Sequence, residues 1–174
     1  YGMGPNKLAD TLNIDIDAAK LLIEKYFTAF PSIKGFLEKL GNFGKQKGYI
    51  TTFPPYYRRR WFTNWYPKIW YNKSATFELG SIERASKNTP IQGASADMTK
   101  RALVLLRNLI KENKLQDQVQ IVMTVHDQID TICETKFAPS WGRLMKMTME
   151  DAAKEIVTNG LLKAEVSISD CWEK

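Results

Sequence analysis

Cysteine is nearly absent from this sequence: Cys133 and Cys171 are the only two in 174 residues. No metal-ligand spacing links them, so neither a disulfide framework nor a thiolate metal centre has anything to rest on, and both are read as reduced and incidental. No apolar run approaches the length of a membrane span, and the N-terminus lacks the charged and apolar regions of a signal peptide. These absences predict a cytoplasmic protein with no membrane partner. Internal repeats and low-complexity segments are missing too. The chain opens on Tyr1 rather than Met and reads as one that begins partway through something longer.

What is present is ordinary globular material. At 44% hydrophobic and 25% charged, the chain can build one domain with a real core or part of a larger one. Its formal net charge of +6 and pI near 9.2 favour an anionic partner, with nucleic acid the leading class.

Taken in order, Pro5 is placed to start a short helix through Leu12 that Asn13 closes. Asp15 or Asp17 caps a second, whose Leu22, Ile23, Tyr26, Phe27 and Phe30 share one face before Pro31 stops it. Ser32 is expected to cap a third, with Ile33, Phe36, Leu37, Leu40 and Phe43 on its apolar side and Gly48 at its end. β-Formers at 49–53 and 57–62 flank Pro54-Pro55, which predicts a hairpin with an enlarged turn whose second arm carries Arg58, Arg59 and Arg60. The stretch 61–77 interleaves Trp, Tyr, Asn and Lys, a mixture that can stack on bases and hold phosphates. The favoured alternative is an inserted loop whose aromatics pack on their own domain.

From 78 to 112 helical residues return, and Asn88-Thr89-Pro90 predicts two consecutive helices or one broken helix. Ala94, Met98, Ala102, Leu105 and Leu109 line one side of its second part, while Lys100 and Arg101 are expected at the surface or facing phosphate. The stretch 121–132, I-V-M-T-V-H-D-Q-I-D-T-I, predicts a tight antiparallel hairpin with His126-Asp127 at its turn. Asp127 then sits at an exposed, rigidly held tip, where a carboxylate can bind a divalent cation or position a reacting group. On this stretch alone an ordinary Asp-containing turn is the competing reading. Pro139 begins a helix to about Thr158, ended by Asn159-Gly160, and 162–169 alternates as a last, half-buried strand.

Four pieces of this sequence, in order, resemble the polymerase region of family A DNA polymerases. Tyr1-Gly2-Met3 resembles the end of motif B. Glu83-Arg84 followed by Asn88, Pro90, Gln92-Gly93 and Ala96-Asp97 resembles the E-R-x-x-x-N-x-P-x-Q-G-x-x-A-D signature. Val125-His126-Asp127 resembles motif C, and the C-terminal strand ending near Trp172 resembles the family's chain end. The resemblance implies an α+β fold: the C-terminal half of a right-hand polymerase, with the end of the fingers helices in 1–78 and an antiparallel palm sheet with helices on one side in 79–174.

It also implies site residues. Nucleotidyl transfer needs two Mg²⁺ ions bridged by carboxylates, and Asp127 matches the motif C metal ligand, with His126 beside it near the primer terminus. Arg84, Asn88 and Gln92 match residues that track the minor groove, whose acceptors hardly distinguish base pairs and so suit an enzyme that copies any sequence. Tyr1 and Gly2 match positions at the nascent base pair. The position after Asp127, usually Glu in the family, is Gln128, and Thr124 replaces a common glutamine. Motif A with its own aspartate, the triphosphate-gripping residues, the thumb and any proofreading domain have no counterpart here. The implied partners are primer-template DNA, a dNTP and an N-terminal segment carrying motif A. Asp130 is expected to turn away from Asp127, and Asp97 to play a capping or pairing role. A non-catalytic DNA-binding remnant and a relative of single-subunit RNA polymerases remain as alternatives.

Overall fold

Several helix ends fall on residues whose backbone preferences suit those positions. The structure is a computed structural model and describes residues 3–172, so Tyr1 and Gly2 lie outside the described residues. Helix α1, Pro5–Leu12, starts with Pro5 in its first turn and closes on Asn13 in the left-handed conformation. Helix α2, Ile16–Ala29, is capped by Asp15, whose carboxylate accepts the Ala18 N–H at 2.8 Å. This chooses Asp15 over Asp17, which instead pairs with Lys20. Helix α3, Pro31–Lys47, corrects one expectation. Pro31 takes the first helical turn, so Ser32 is already inside the helix and no side chain caps it.

Gly48 ends α3 at φ 76° and is required for a second reason. The Trp65 ring lies against it where any Cβ would collide, and the Trp65 indole N–H donates to the Lys45 carbonyl at 2.9 Å. Strands β1, Tyr49–Thr51, and β2, Arg59–Trp61, then form the expected antiparallel hairpin, with Tyr49 opposite Trp61 and Thr51 opposite Arg59. Its enlarged turn contains a cis peptide bond between Pro54 and Pro55. The aromatic stretch that follows divides. Phe62 and Trp65 turn inward with Ile69, which lies in a single 3₁₀ turn at Ile69–Tyr71, onto a core of Ala75, Leu79 and Ile82. Trp61, Trp70 and Tyr71 stay exposed.

Helix α4, Thr76–Glu112, is one continuous element of 37 residues with Pro90 inside it, not two helices. Proline lacks the N–H that would bond to the Ser86 carbonyl, which costs the helix one backbone bond. Ile82, Ser86, Pro90 and Ala94, four residues apart, are nevertheless all buried, and packing of that row holds the helix through the proline. Farther along, the buried row is Ala102, Leu106 and Ile110. The expected Leu105 and Leu109 are only partly buried at its flank.

The chain divides into two compact units. One comprises residues up to Thr52 with Tyr57–Ile91, the other Phe53–Tyr56 with residues from Gln92 onward. In the second unit, β3, Val119–Val125, pairs antiparallel with β4, Gln128–Cys133. Val119, Ile121, Ile129 and Cys133 pack on the α4 row and on Trp141 of helix α5, Ala138–Lys154. Trp141 also donates its indole N–H to Thr131 at 2.8 Å. Cys133 and Cys171 are both unpaired. Among the described residues no helix is long and apolar enough to cross a membrane.

Two expectations fail after β4. Helix α5 stops at Lys154, short of Thr158, and 162–169 forms no strand. The β3–β4 pair keeps an open edge on each strand among the described residues, but 162–169 joins neither. The segment instead runs beside α5. The Ala164 N–H donates to Glu150 Oε1 at 3.3 Å, and Val166 lies against Gly142, where an added Cβ would meet it at 2.9 Å.

Two glycines of α3 offer a direct check on this packing. A Cβ at Gly44 would run into the buried side chain of Ser86 and the Phe62 ring, whereas one at Gly35 meets nothing within 4 Å. Gly44→Ala should lower stability by about 1–3 kcal/mol through overpacking. Gly35→Ala should raise it by about 0.5–1 kcal/mol, because the helix loses less backbone entropy on folding. Thermal or denaturant unfolding of the two variants measures both signs.

Candidate active site

The β3–β4 hairpin turns through His126 and Asp127 alone, because Val125 already pairs with Gln128. So tight a loop needs a left-handed residue, and His126 adopts φ 54°. Asp127 follows it, exposed, with its carboxylate in no hydrogen bond or ion pair among the described residues. Thr124, at the position where glutamine was expected, donates its hydroxyl to the Gln128 carbonyl at 3.1 Å and braces the turn. A register shift between Ile121 and Met123 adds a bulge to β3 just before the tip.

Beyond the turn, pairing places Gln128 with Val125 and Asp130 with Met123 on the face of the hairpin opposite Ile129 and Thr131. The Gln128 amide donates to Asp130 Oδ1 at 2.6 Å, while Asp130 Oδ2 is buried without a hydrogen-bond partner among the described residues. Asp130 is therefore engaged with Gln128. Met123, Val125 and Ile132 share this outward face and are exposed, and the bulged Val122 is exposed as well. The described residues bring no three His, Cys, Asp or Glu side chains together as a metal cage.

The signature segment lies on α4. Glu83 binds two lysines, Lys87 one turn on at 2.6 Å and Lys45 of α3 at 2.9 Å. Lys87 first and Lys45 second hold its carboxyl below the ordinary glutamate value. Arg84 is exposed, its guanidinium folded back near Gly80, and forms no ion pair with a neighbouring carboxylate among the described residues. Asn88 is half-buried with its Oδ1 buried and without a hydrogen-bond partner among the described residues. Gln92 is exposed in mid-helix. Arg84 and Asn88 belong to the first unit, while Gln92, His126, Asp127 and Gln128 belong to the second.

Sequence reasoning missed two side-chain clusters. The Glu83–Lys87 pair was readable from its i, i+4 spacing, but Lys45 arrives from another helix. Arg101, expected at the surface or on phosphate, stays part-exposed and donates its Nε–H to Glu155 Oε1 at 2.7 Å, and Tyr56 donates its hydroxyl to Oε2 at 2.8 Å. The Arg101 hydrogen bond, followed by that of Tyr56, lowers the Glu155 pKa. Burial first, then Glu155, raises that of Tyr56. Asp97 is buried at 4% exposure, in keeping with a structural place.

Comparison with known proteins names the class. The profile of DNA polymerase family A matches residues 1–174. DNA polymerase I of Bacillus caldotenax is 37% identical over 173 residues, covering 99% of this chain and 18% of that protein. DNA polymerase theta of Drosophila melanogaster is 27% identical over 177 residues, covering 99% of this chain and 8% of its own length. Among solved structures, the POL domain of Pol1 from M. smegmatis in complex with DNA primer-template and dNTP superposes with a TM-score of 0.73 at 28% identity, over 87% of this chain and 25% of that one. The chain therefore belongs to DNA polymerase family A and has the α+β fold of a fragment of its polymerase region. It spans less than a fifth of these two relatives' lengths.

The double pairing of Glu83 predicts a pH dependence. A carboxyl whose folded pKa is depressed adds stability that is full above its unfolded value, near 4.5, and is lost as pH falls through the lower folded value. The stability advantage of the natural protein over Glu83→Gln should thus be constant near neutrality and shrink progressively below pH 4.5. Denaturant melts of both proteins across that range check it.

Proposed function

We propose that this chain is the C-terminal part of the polymerase module of a DNA-directed DNA polymerase, with 1–78 contributing to the fingers and 79–174 to the palm. The observation that carries this reading is Asp127, a single carboxylate on a rigid hairpin tip whose two strands each keep an open edge among the described residues. The reaction joins the primer 3′-hydroxyl oxygen to the α-phosphorus of a dNTP and releases pyrophosphate. Two Mg²⁺ ions, when bound with Asp127 as one ligand, would supply positive charge toward the hydroxyl and the triphosphate.

Asp127 suits such ions as a hard oxygen ligand, exposed and uncommitted to any other side chain among the described residues. One carboxylate is too little for two divalent ions beside a triphosphate. Asp130 is engaged with Gln128 and Asp97 is buried, so neither replaces the second ligand. That ligand belongs to an N-terminal segment carrying motif A, which would also cover a bare strand edge. His126 stands beside the metal ligand toward the primer terminus. Gln128 offers a neutral contact to DNA where the family has a carboxylate. Arg84, Asn88 and Gln92 donate to minor-groove acceptors, and the engagement of Glu83 by two lysines leaves the Arg84 charge available for this. Tyr1 and Gly2 meet the nascent pair.

In the completed enzyme, Asp127→Asn should reduce primer extension by more than about a hundredfold, since loss even of a supporting partner of a metal ligand costs about 10–100-fold. Primer-template affinity should hold. Full activity of Asp127→Asn would overturn the assignment and favour a non-catalytic DNA-binding role. Gln92→Ala should slow extension of every primer sequence by a similar factor, and a strongly base-dependent effect would remove its minor-groove role.

A further inference from the structure

Positive charge and aromatic rings are concentrated in one part of this chain. Residues 39–77 hold eight Lys and Arg, no Asp or Glu, and three of the five tryptophans, so this stretch alone carries more positive charge than the net +6 of the whole chain. The β1–β2 hairpin sits in its middle. Strand pairing gives the hairpin two unlike faces. Ile50, opposite Arg60, is buried at 3% exposure, whereas Tyr49, Arg59 and Trp61 share the other face.

That outward face is built as a layer of planar groups. The Arg59 guanidinium lies 4.9 Å from the Tyr49 ring centroid and 5.8 Å from that of Trp61. The Tyr49 and Trp61 rings are 5.0 Å apart, and Phe43 meets Tyr49 edge-on at 5.5 Å. These contacts hold the side chains in place, leaving Trp61 62% exposed and Tyr49 half-buried. A preformed, cationic aromatic surface left open to solvent is suited to a ligand that is both planar and anionic.

We infer that the outward face of the β1–β2 hairpin, formed by Tyr49, Arg59 and Trp61, is a stacking platform for single-stranded DNA. Unpaired bases present free π-faces to Trp61 and the guanidinium plane, while surrounding lysines and arginines other than Lys45, which pairs with Glu83, meet phosphates. A duplex keeps its bases stacked on each other and can offer this face only its phosphates. Selectivity for single strands therefore follows from the rings, and salt dependence from the charges.

The test uses the full chain and a fluorescently labelled oligo-dT, with a blunt duplex of equal length for comparison. Trp61→Leu keeps apolar bulk but removes the π-face, and Trp61→Phe keeps a ring. Trp61→Leu should weaken oligo-dT binding by about fivefold or more. Trp61→Phe should restore most of it, and duplex affinity should stay within about twofold for both. Neutralising Arg58, Arg59 and Arg60 should flatten the dependence of affinity on salt, whereas Trp61→Leu should not. Oligo-dT affinity unchanged in Trp61→Leu, or lost equally on the duplex, would overturn the platform. Asp127→Asn leaves this face intact, so failure of the platform and failure of the polymerase reading register in different assays.

Discussion

Burial of one face of α4 is the constraint on which both compact units depend. The helix that carries the row Ile82, Ser86, Pro90 and Ala94 continues into the stretch that supplies Ala102, Leu106 and Ile110 to the second core. A proline at its midpoint removes a backbone bond, and packing along the row offsets that loss. On the first unit's side, the approach of α3 is set by glycines. Gly41 and Gly44 let its backbone come down onto Glu83 and Ser86, so the Lys45–Glu83 ion pair and the burial of Ser86 follow from the absence of two methyl groups.

Within the second unit the same helix supplies the floor for the β3–β4 hairpin. Val119 and Ile129 anchor it on the α4 row, and Trp141 ties Thr131 down from α5. With the inner face so fixed, the two-residue turn has little freedom, and Asp127 is delivered to the tip by the scaffold. The outward face shows the opposite character. Its exposed Met123, Val125 and Ile132 and the unpaired edges of both strands are features that proteins ordinarily cover. A hairpin rigid beneath and open above suits a site assembled from more than one segment.

Much of this was legible in the sequence because it rests on local rules. Asn13, Asp15 and Gly48 mark helix ends through their own backbone and side-chain preferences, and the alternation around His126-Asp127 disclosed the hairpin. What escaped depends on neighbours distant in sequence. Continuity of α4 through Pro90 is decided by burial on both sides, and the loss of the 162–169 strand by the contacts that segment makes with α5. The Arg101–Glu155–Tyr56 cluster gathers residues far apart along the chain. The Gln128–Asp130 contact was within reach, since residues two apart on a strand share a face. Asp127 lies in the loop, outside that alternation, and so gives no guide to the face of Asp130.

The central claim is that Asp127 is one of two carboxylates the chemistry requires and that the other comes from a segment bearing motif A. Primer extension with Mg²⁺, run with the purified 174-residue chain alone and then mixed with that segment, tests it most directly. The account predicts no synthesis by the chain alone and template-dependent synthesis by the mixture. Robust synthesis by the chain alone would contradict it.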